Sequence, residues 1–180
     1  MGRVLAGMSM SVDGYVEDAS GSARALGAGW DPQSPAYLEV LERTGAVVMG
    51  RGMFDAAGDP DSYAADYEFQ VPLFVVTSSP PEVHPVENER LTVTFVTDGP
   101  LAAVTQAIAA AGDRDVCVVG GSGLITALLR AGAVDVLELD VVPVLLGGGK
   151  RMFDDPALAG VQLAGPRATL RWSPGTGPSL

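Results

Sequence analysis

The sequence predicts an α/β domain with a mostly parallel central sheet, helices on both of its faces and one or more antiparallel strands near the carboxyl terminus. Segments of strand type alternate with segments of helix type through residue 130, and strands dominate afterwards. The chain of 180 residues contains 47% hydrophobic and 18% charged residues, which is typical of a folded globular protein. Because no internal repeat is present, we expect residues 1–180 to form a single domain.

The first half of the chain contains three strand candidates and one clear helix. The strands are Val4–Met10, Ala46–Met49 and Leu73–Thr77. A helix is predicted from Pro35 to a stop at Gly45, with Tyr37, Leu38 and Leu41 on its apolar face. Residues 55–70 are rich in Asp, Gly, Pro and Tyr, and they are predicted to form a long surface loop.

The second half continues the alternation and then becomes extended. A half-exposed strand is predicted at 91–96, because apolar and Thr residues alternate there. Pro100 begins a helix through Ala111, whose apolar face is predicted to contain Leu101, Val104 and Ile108. The remaining predicted elements are a strand ending at Val119, a helix ending near Gly132, an extended segment Val134–Leu146 and a final strand Ala168–Trp172.

Charge and cysteine content exclude several classes of partner. The net charge of -11 argues against nucleic acid and anionic membranes, which both require basic surfaces. The single cysteine, Cys117, allows no intramolecular disulfide, and its strand context predicts a small buried apolar residue. The polar amino terminus and the lack of a long apolar run predict a cytoplasmic protein. An anionic ligand would need local cations, for which Arg51 and the Lys150–Arg151 pair are candidates.

Polar or glycine-rich segments follow three of the predicted strands. They are Met49-Gly50-Arg51, Thr77-Ser78-Ser79 and Gly120-Gly121-Ser122-Gly123. Ligands of open α/β sheets bind at the carboxyl ends of strands, and a helix N-terminus after a glycine turn favours phosphate. Turn geometry alone explains the GGSG motif equally well. If the three strands are neighbours, their ends supply a cation, hydroxyl groups and a helix N-terminus that suit a cofactor with several phosphates.

These motifs give the chain a family resemblance. The segments VVMGRGMFD, VVTSSPP, VVGGSGLITALLRAG and VDVLELDVVPVLLGGGKRMFDD follow an opening MSMSVDGYV. In this order they resemble the dihydrofolate-reductase-like superfamily, and in particular the reductase domain of the riboflavin-biosynthesis deaminase-reductase and its stand-alone relatives. The resemblance covers residues 3–155 and implies the three-layer fold of that superfamily, binding of NADPH and a homodimer.

The resemblance also implies roles for particular residues. Gly50 and Arg51 would approach the cofactor phosphates, and Thr77, Ser78 and Ser79 would lie near the adenosine 2′-phosphate. The Gly120–Gly121 turn, which often contains a cis peptide bond in this family, would face the nicotinamide and pyrophosphate. The residues that follow this turn and are also expected at the cofactor are Ser122, Gly123, Leu124 and Ile125. The loop containing Ser11 and Asp13 would flank the nicotinamide and the substrate.

Some positions depart from the family pattern. Many relatives carry a phosphate-binding Thr two residues after the arginine, and this chain has Met53 there, which is expected to weaken NADPH binding or to change cofactor preference. Dihydrofolate reductases hold the pteridine with an acid on the helix before the second strand, where Glu39 or Glu42 is available. A solvated helix face explains both glutamates equally well. Trp30 is a candidate for substrate contact or for ordinary packing.

The resulting prediction is an NADPH-dependent reductase that transfers hydride to a small pterin-like or aminopyrimidine-like heterocycle. The cofactor carries this chemistry, so no nucleophile or metal site is expected. His84 and the pair Asp59 and Asp61 are therefore interpreted as exposed loop residues, and Gly147–Gly149 as an anion-binding nest or a β-turn. Two alternatives stay open: a non-catalytic nucleotide-binding or sensor protein, and a reductase that uses another nicotinamide or a deazaflavin cofactor.

Overall fold

The computed structural model describes residues 2–27 and 31–165. These residues contain eight strands and five α-helices. The strands are β1 Val4–Ser11, β2 Tyr15–Glu17, β3 Thr44–Gly50, β4 Leu73–Val76, β5 Val93–Val96, β6 Asp115–Val119, β7 Val136–Val142 and β8 Lys150–Arg151. The helices are α1 Pro35–Arg43, α2 Arg51–Asp55, α3 Ser62–Asp66, α4 Pro100–Ala111 and α5 Ser122–Arg130, with 3-10 turns at Arg24–Gly27 and Pro156–Leu158.

Six of the strands form one sheet in the order β5-β4-β3-β6-β1-β7, and all of its neighbouring pairs are parallel. The α/β fold class with a mostly parallel central sheet is confirmed. The antiparallel part is a separate two-stranded sheet of β2 and β8, while the predicted extended segment 134–146 contributes β7, which is parallel to β1. The predicted strand Ala168–Trp172 lies outside the described residues.

The two faces of the sheet are covered by different helices. On one face, Ala6, Val48 and Val118 pack with apolar residues of α4 and α5. On the other face, Val47 and Met49 pack with residues of α2 and α3 and with partly buried residues of α1. This arrangement produces the expected three layers, because parallel strands connected by helices must be covered on both sides.

In two helices, one residue that was predicted to lie on the buried apolar face is exposed instead. Leu38 of α1 is 44% exposed and Leu101 of α4 is 53% exposed, so neither belongs to the core. In α1 the sheet-facing positions include Val40 and Leu41, and in α4 they are the small residues Ala103, Val104, Ala107 and Ala111. The alanines let α4 approach the sheet closely, which leaves the large Leu101 on the outer side of the first turn.

Gly45 does not end α1, as the sequence suggested, but lies inside β3. The helix ends at Arg43, and the backbone N–H of Thr44 closes it by donating to Val40. A Cβ on Gly45 would lie 2.7 Å from the Cβ of Arg114 and 2.8 Å from the carbonyl oxygen of Ala111. Gly45 is therefore required by close packing of β3 against the end of α4.

The segment 55–70 is more ordered than the predicted surface loop. It contains α3, and its Tyr63 and Phe69 are buried. The Tyr63 ring stacks on Phe54 with the ring centroids 4.8 Å apart, and Tyr67 meets Tyr63 nearly edge-on. These aromatic side chains bury enough apolar area to fix a segment whose Gly, Pro and Asp content indicated only a loop.

Candidate functional site

The three strands that are followed by polar or glycine-rich segments lie side by side in the sheet. Strands β4, β3 and β6 are consecutive in the sheet and parallel, so their carboxyl ends share one edge. The backbone N–H of Gly50 donates to the carbonyl oxygen of Gly120 at 3.2 Å, which joins the end of β3 directly to the turn after β6. The three strands are therefore neighbours, as the sequence argument for a phosphate-binding site required.

A cleft of about 690 Å³ opens at the ends of β3, β4 and β5. It is lined by Arg51, Val76, Thr77, Ser78, Ser79, Thr97 and Gly99. The guanidinium of Arg51 donates from Nε to Asp55 Oδ1 and from Nη1 to the Ser79 carbonyl oxygen, both at 2.7 Å. These two bonds fix the arginine across the cleft. Among the described residues, no hydrogen bond occupies its Nη2 or the hydroxyl group of Ser78.

The turn after β6 has an unusual backbone. The Gly120–Gly121 peptide bond is cis, and Gly120 has a φ of 63°. A Cβ on Gly120 would lie 2.9 Å from the methyl group of Met53 and 3.4 Å from that of Met8. Glycine is required here both by the positive φ and by these two methionines, and the turn presents backbone rather than side chains at the sheet edge.

Helix α5 begins directly after this turn. The side chains of Ser122, Leu124 and Ile125 are buried, and Leu124 and Ile125 belong to the core. Of the predicted cofactor residues in this segment, Gly123 is exposed. The N–H groups of Leu124 and Ile125 are already engaged by the Gly121 carbonyl oxygen. The N–H groups of Ser122 and Gly123 have no acceptor among the described residues.

Lys150 is the nearest cation to the glycine turn in the described part of the chain. Its Nζ lies 4.0 Å from the position that a Cβ on Gly121 would occupy, and 3.6 Å from Glu17 Oε1. The neighbouring Gly149 packs so closely against the Glu17 and Asp18 backbone that no side chain fits there. The β2–β8 pair therefore brings a lysine ammonium group to the start of α5.

Ser11 and Asp13 hold the loop after β1 in place. The buried Ser11 hydroxyl oxygen accepts from the Tyr15 N–H at 2.9 Å. The carboxylate of Asp13 accepts from the N–H groups of Leu146 and Gly147, at 3.1 and 2.8 Å. The Ser11 hydroxyl and these backbone N–H groups lower the pKa of Asp13 to about 2 against an opposing effect of burial. Part of the predicted glycine nest is therefore occupied by a carboxylate of the chain itself.

Other candidate residues do not join the carboxyl edge of the sheet. Glu39 pairs with Arg43 at 3.4 Å, and Arg43 pairs with Asp115 at the amino end of β6, at 2.7 Å. Trp30 lies outside the described residues. His84 is exposed and contacts Glu87 at 3.1 Å. Cys117 is buried, and burial raises the pKa of its thiol to about 12, which leaves a neutral thiol.

A second concave region was missed by the sequence analysis. Two cavities of about 480 and 320 Å³ lie between α1 and the sheet, and both include Glu138 of β7 and Tyr37 of α1. The signal was present in the sequence, because Glu138 and Asp140 alternate with Leu137 and Leu139 along β7. That alternation is equally typical of a strand with one solvated face.

Within the described residues no helix has the length and hydropathy of a membrane span. Nor does the described part of the chain bring three or more His, Cys, Asp or Glu side chains together in a way that could hold a metal ion.

The fold and the carboxyl edge of the sheet define the class of the protein. It is an α/β domain that carries a cleft with an arginine and hydroxyl groups, and a cis glycine turn, at the carboxyl ends of parallel strands. Residues 3–171 match the RibD C-terminal domain family, and the chain belongs to that family. The structure and the sequence thus agree on the resemblance to the riboflavin-biosynthesis reductase domain.

Known proteins similar to the chain include riboflavin biosynthesis and uncharacterized proteins. The riboflavin biosynthesis protein RibD of Mycobacterium tuberculosis is 33% identical over 173 residues, which are 90% of this chain and 47% of that protein. The chain thus spans about half of that relative. The uncharacterized protein YyaP of Bacillus subtilis is 25% identical over 161 residues, with 85% of this chain and 81% of YyaP covered.

A solved structure extends the similarity of the fold. The diaminohydroxyphosphoribosylaminopyrimidine deaminase/5-amino-6-(5-phosphoribosylamino)uracil reductase of Thermotoga maritima superimposes with a TM-score of 0.63 at 17% identity. The superposition covers 87% of this chain and 50% of the Thermotoga chain. At this identity the match supports the shared fold.

Proposed function

We propose that the protein is an NADPH-dependent reductase of a small heterocyclic substrate. The observation that carries the proposal is the cleft lined by Arg51 and the Thr77–Ser79 segment, together with the hydrogen bond that joins the neighbouring Gly50 to Gly120. Membership of the RibD C-terminal domain family supports it, since the Thermotoga protein of the same fold is a pyrimidine reductase by name. The proposal includes a cytoplasmic homodimer.

The residues of the cleft fit a phosphorylated dinucleotide. Arg51 offers a fixed positive charge, and Ser78 offers a hydroxyl group without a partner among the described residues. A guanidinium group forms strong, charge-assisted hydrogen bonds with phosphate oxygens, and a hydroxyl group can donate a further one. The glycine turn leaves room for close approach, since Gly50 and Gly121 carry no side chain at the edge. NADPH, when bound, would supply the hydride.

The chain's own residues would orient the two ligands and restrict water. Arg51, Ser78 and Ser79 would hold the phosphorylated adenosine end, and Gly120 and Gly121 would contact the nicotinamide end. The methyl groups of Met8 and Met53 border the turn and give it an apolar surround. The Asp13 carboxylate, which accepts from the N–H groups of Leu146 and Gly147, ties the loop after β1 to the segment after β7.

Equilibrium titration of the protein with NADPH and with NADH tests the proposal. Fluorescence of the reduced nicotinamide should change in a saturable way with both, and NADPH should bind more tightly. Folate, added to the protein with and without NADPH, tests whether a pterin is accepted. Absence of saturable binding for either nicotinamide would refute the proposed function. Light scattering of the same samples measures whether the chain is a dimer.

One observation favours a non-catalytic nucleotide-binding protein as the second candidate. Met53 packs its methyl group against the Gly120 turn, in the position where many relatives have a threonine hydroxyl group. A pocket that binds NADPH without turnover would fit this packing. Substitution of Met53→Thr distinguishes the candidates: a weak enzyme should gain both affinity and NADPH oxidation with an accepted substrate, whereas a sensor should gain affinity alone.

A further inference from the structure

The segment Thr77–Ser79, which follows β4, forms a small turn closed by its own hydrogen bonds. The N–H of Ser79 donates to the Thr77 hydroxyl oxygen at 3.1 Å, and the Thr77 hydroxyl group donates to the Ser79 carbonyl oxygen, also at 3.1 Å. Local bonds of this kind from a threonine side chain stabilise turns. The N–H of Thr77 donates to the Val96 carbonyl oxygen at 3.1 Å, which fixes the turn to β5. We name residues 77–79 the Thr77 turn.

The Ser79 carbonyl oxygen connects the Thr77 turn to the arginine of the cleft. It accepts from the Thr77 hydroxyl group and also from Arg51 Nη1, the latter at 2.7 Å. A carbonyl oxygen has two lone pairs, so it can accept from both donors at once. On the other side of the guanidinium, Nε donates to Asp55 Oδ1 at 2.7 Å. Arg51 is therefore held at two points, one within its own helix α2 and one on the Thr77 turn.

The three residues of the Thr77 turn differ in what they offer to a ligand. Thr77 is half-buried, and its hydroxyl group is engaged both as a donor and as an acceptor. Ser78 and Ser79 are exposed, and their hydroxyl groups have no hydrogen-bond partner in the described part of the chain. The hydroxyl groups that are free to meet a ligand thus belong to the two serines. The Thr77 hydroxyl group can join them only if the bonds that close the turn are broken.

The orientation of Arg51 matters because it is the only charged side chain among the described residues that line the cleft. A free arginine side chain samples many rotamers, and an anion that binds to it must first order it. The bonds to Asp55 and to the Ser79 carbonyl oxygen supply part of this order before a ligand arrives. Loss of either bond should therefore reduce the affinity of the cleft for a phosphate group.

We propose that Thr77 is a positioning residue, which orients the Ser79 carbonyl oxygen and, through it, the Arg51 guanidinium, without contacting the cofactor itself. This role differs from the one that the family resemblance implies, in which Thr77 lies at the 2′-phosphate together with Ser78 and Ser79. The hold on Arg51 follows from the contacts of the turn alone. Its consequence, a preference for the phosphorylated cofactor, rests on the proposed function.

A double-mutant cycle separates positioning from direct contact. Thr77→Val removes the hydroxyl group and keeps a branched side chain of similar shape. It should weaken NADPH binding about threefold and leave NADH binding nearly unchanged, since one neutral hydrogen bond is lost on the path to Arg51. In the Arg51→Ala background the same substitution should cause no further loss, because Thr77 acts only through the arginine. Ser78→Ala is the comparison for a hydroxyl group that meets the ligand directly, and it should weaken NADPH in both backgrounds.

Two further variants control for a general effect on the fold. Thr77→Ser restores the hydroxyl group and should recover the affinity for NADPH. Thr94→Val changes an exposed threonine of β5 that lines no part of the cleft, and it should alter neither cofactor affinity. Thermal unfolding of each variant shows whether it is folded. A purely structural effect of Thr77→Val would weaken NADPH and NADH alike.

Solvent exchange of the Arg51 guanidinium N–H groups, measured by nuclear magnetic resonance without any cofactor, tests the hold on the arginine directly. Exchange should be about threefold faster in Thr77→Val and unchanged in Thr94→Val. Unchanged exchange in Thr77→Val, an equal loss for NADPH and NADH, or an additive loss in the Arg51→Ala background would overturn the inference. If neither nicotinamide binds to the wild type while exchange responds to Thr77→Val, the proposed function is refuted and the positioning of Arg51 by Thr77 is retained.

Discussion

Replacement of Arg51 by alanine is the most direct test of how the cleft distinguishes cofactors. Arg51 is oriented by two bonds of 2.7 Å, to Asp55 and to the Ser79 carbonyl oxygen, and it lines the cleft together with Ser78. The proposed function places the 2′-phosphate at this group. NADH lacks that phosphate, so the substitution should weaken NADPH binding and leave NADH binding nearly unchanged.

The expected magnitude follows from the exposure of the arginine. A hydrogen bond to a charged group contributes about 1.5–3 kcal/mol. Because the Arg51 side chain is 34% exposed, solvent screening favours the lower end of that range. About 1.5 kcal/mol corresponds to a roughly tenfold increase in the dissociation constant for NADPH. The truncation also leaves Asp55 without its partner, so adding Asp55→Asn should recover part of the lost affinity.

Nicotinamide fluorescence titrations at constant ionic strength measure both dissociation constants for each variant. Arg90→Ala serves as the control, because Arg90 is exposed and lines none of the cavities at the sheet edge. A loss of equal size for NADPH and NADH would show that Arg51 acts on the part common to both cofactors, and the assignment of the 2′-phosphate to this cleft would be wrong.

Three further changes have outcomes that the structure specifies. Lys150→Met should weaken the binding of NADPH and of NADH alike by about threefold in titrations, because a half-exposed ammonium group near Gly121 contributes at most about 1 kcal/mol. The control is Arg151→Met, which should leave both affinities unchanged because the Arg151 guanidinium packs on the Tyr15 ring. Gly45→Ala should lower the free energy of unfolding in urea by about 1–3 kcal/mol, because its Cβ would meet backbone at 2.8 Å, whereas Gly7→Ala should change it little. Asp13 has a pKa lowered from 3.8 to about 2, so its stabilisation is present above pH 3.8 and is lost as the pH falls towards 2. Asp13→Asn should therefore melt below the wild type at pH 7, and a difference that persists undiminished at pH 2 would contradict this reasoning.

The order of elements and several boundaries could be predicted from the sequence. Helix α4 has its predicted bounds, because Pro100 and Gly112 mark both ends. The carboxyl-edge motifs were also found, since Gly, Ser and Arg directly follow apolar strand residues. Sequence alone could not place β6 between β3 and β1, because that position depends on contacts between residues far apart in the chain. The proximity of Gly50 and Gly120 is a consequence of that placement.

The sequence predictions that the structure contradicts have a common physical cause, which is dependence on contacts between residues far apart in the chain. A helix of nine residues such as α1 has too few turns to define one apolar stripe, so Leu38 and Val40 were equally plausible core positions. Gly45 was interpreted as a helix stop, but its role depends on Arg114 and Ala111, which are distant in sequence. The two cavities between α1 and the sheet were missed for the same reason: their linings come from β1, β6, β7 and α1, none of which indicates a cavity by itself.

The distribution of charge around the glycine turn is uneven. The chain has a net charge of -11, yet the cleft at the ends of β3, β4 and β5 presents Arg51 and hydroxyl groups, and Lys150 lies near Gly121. The lining of the larger cavity between α1 and the sheet includes the acids Asp31, Glu138 and Asp140. An anionic cofactor would therefore be favoured in the cleft of Arg51 rather than between α1 and the sheet, because like charges repel it there.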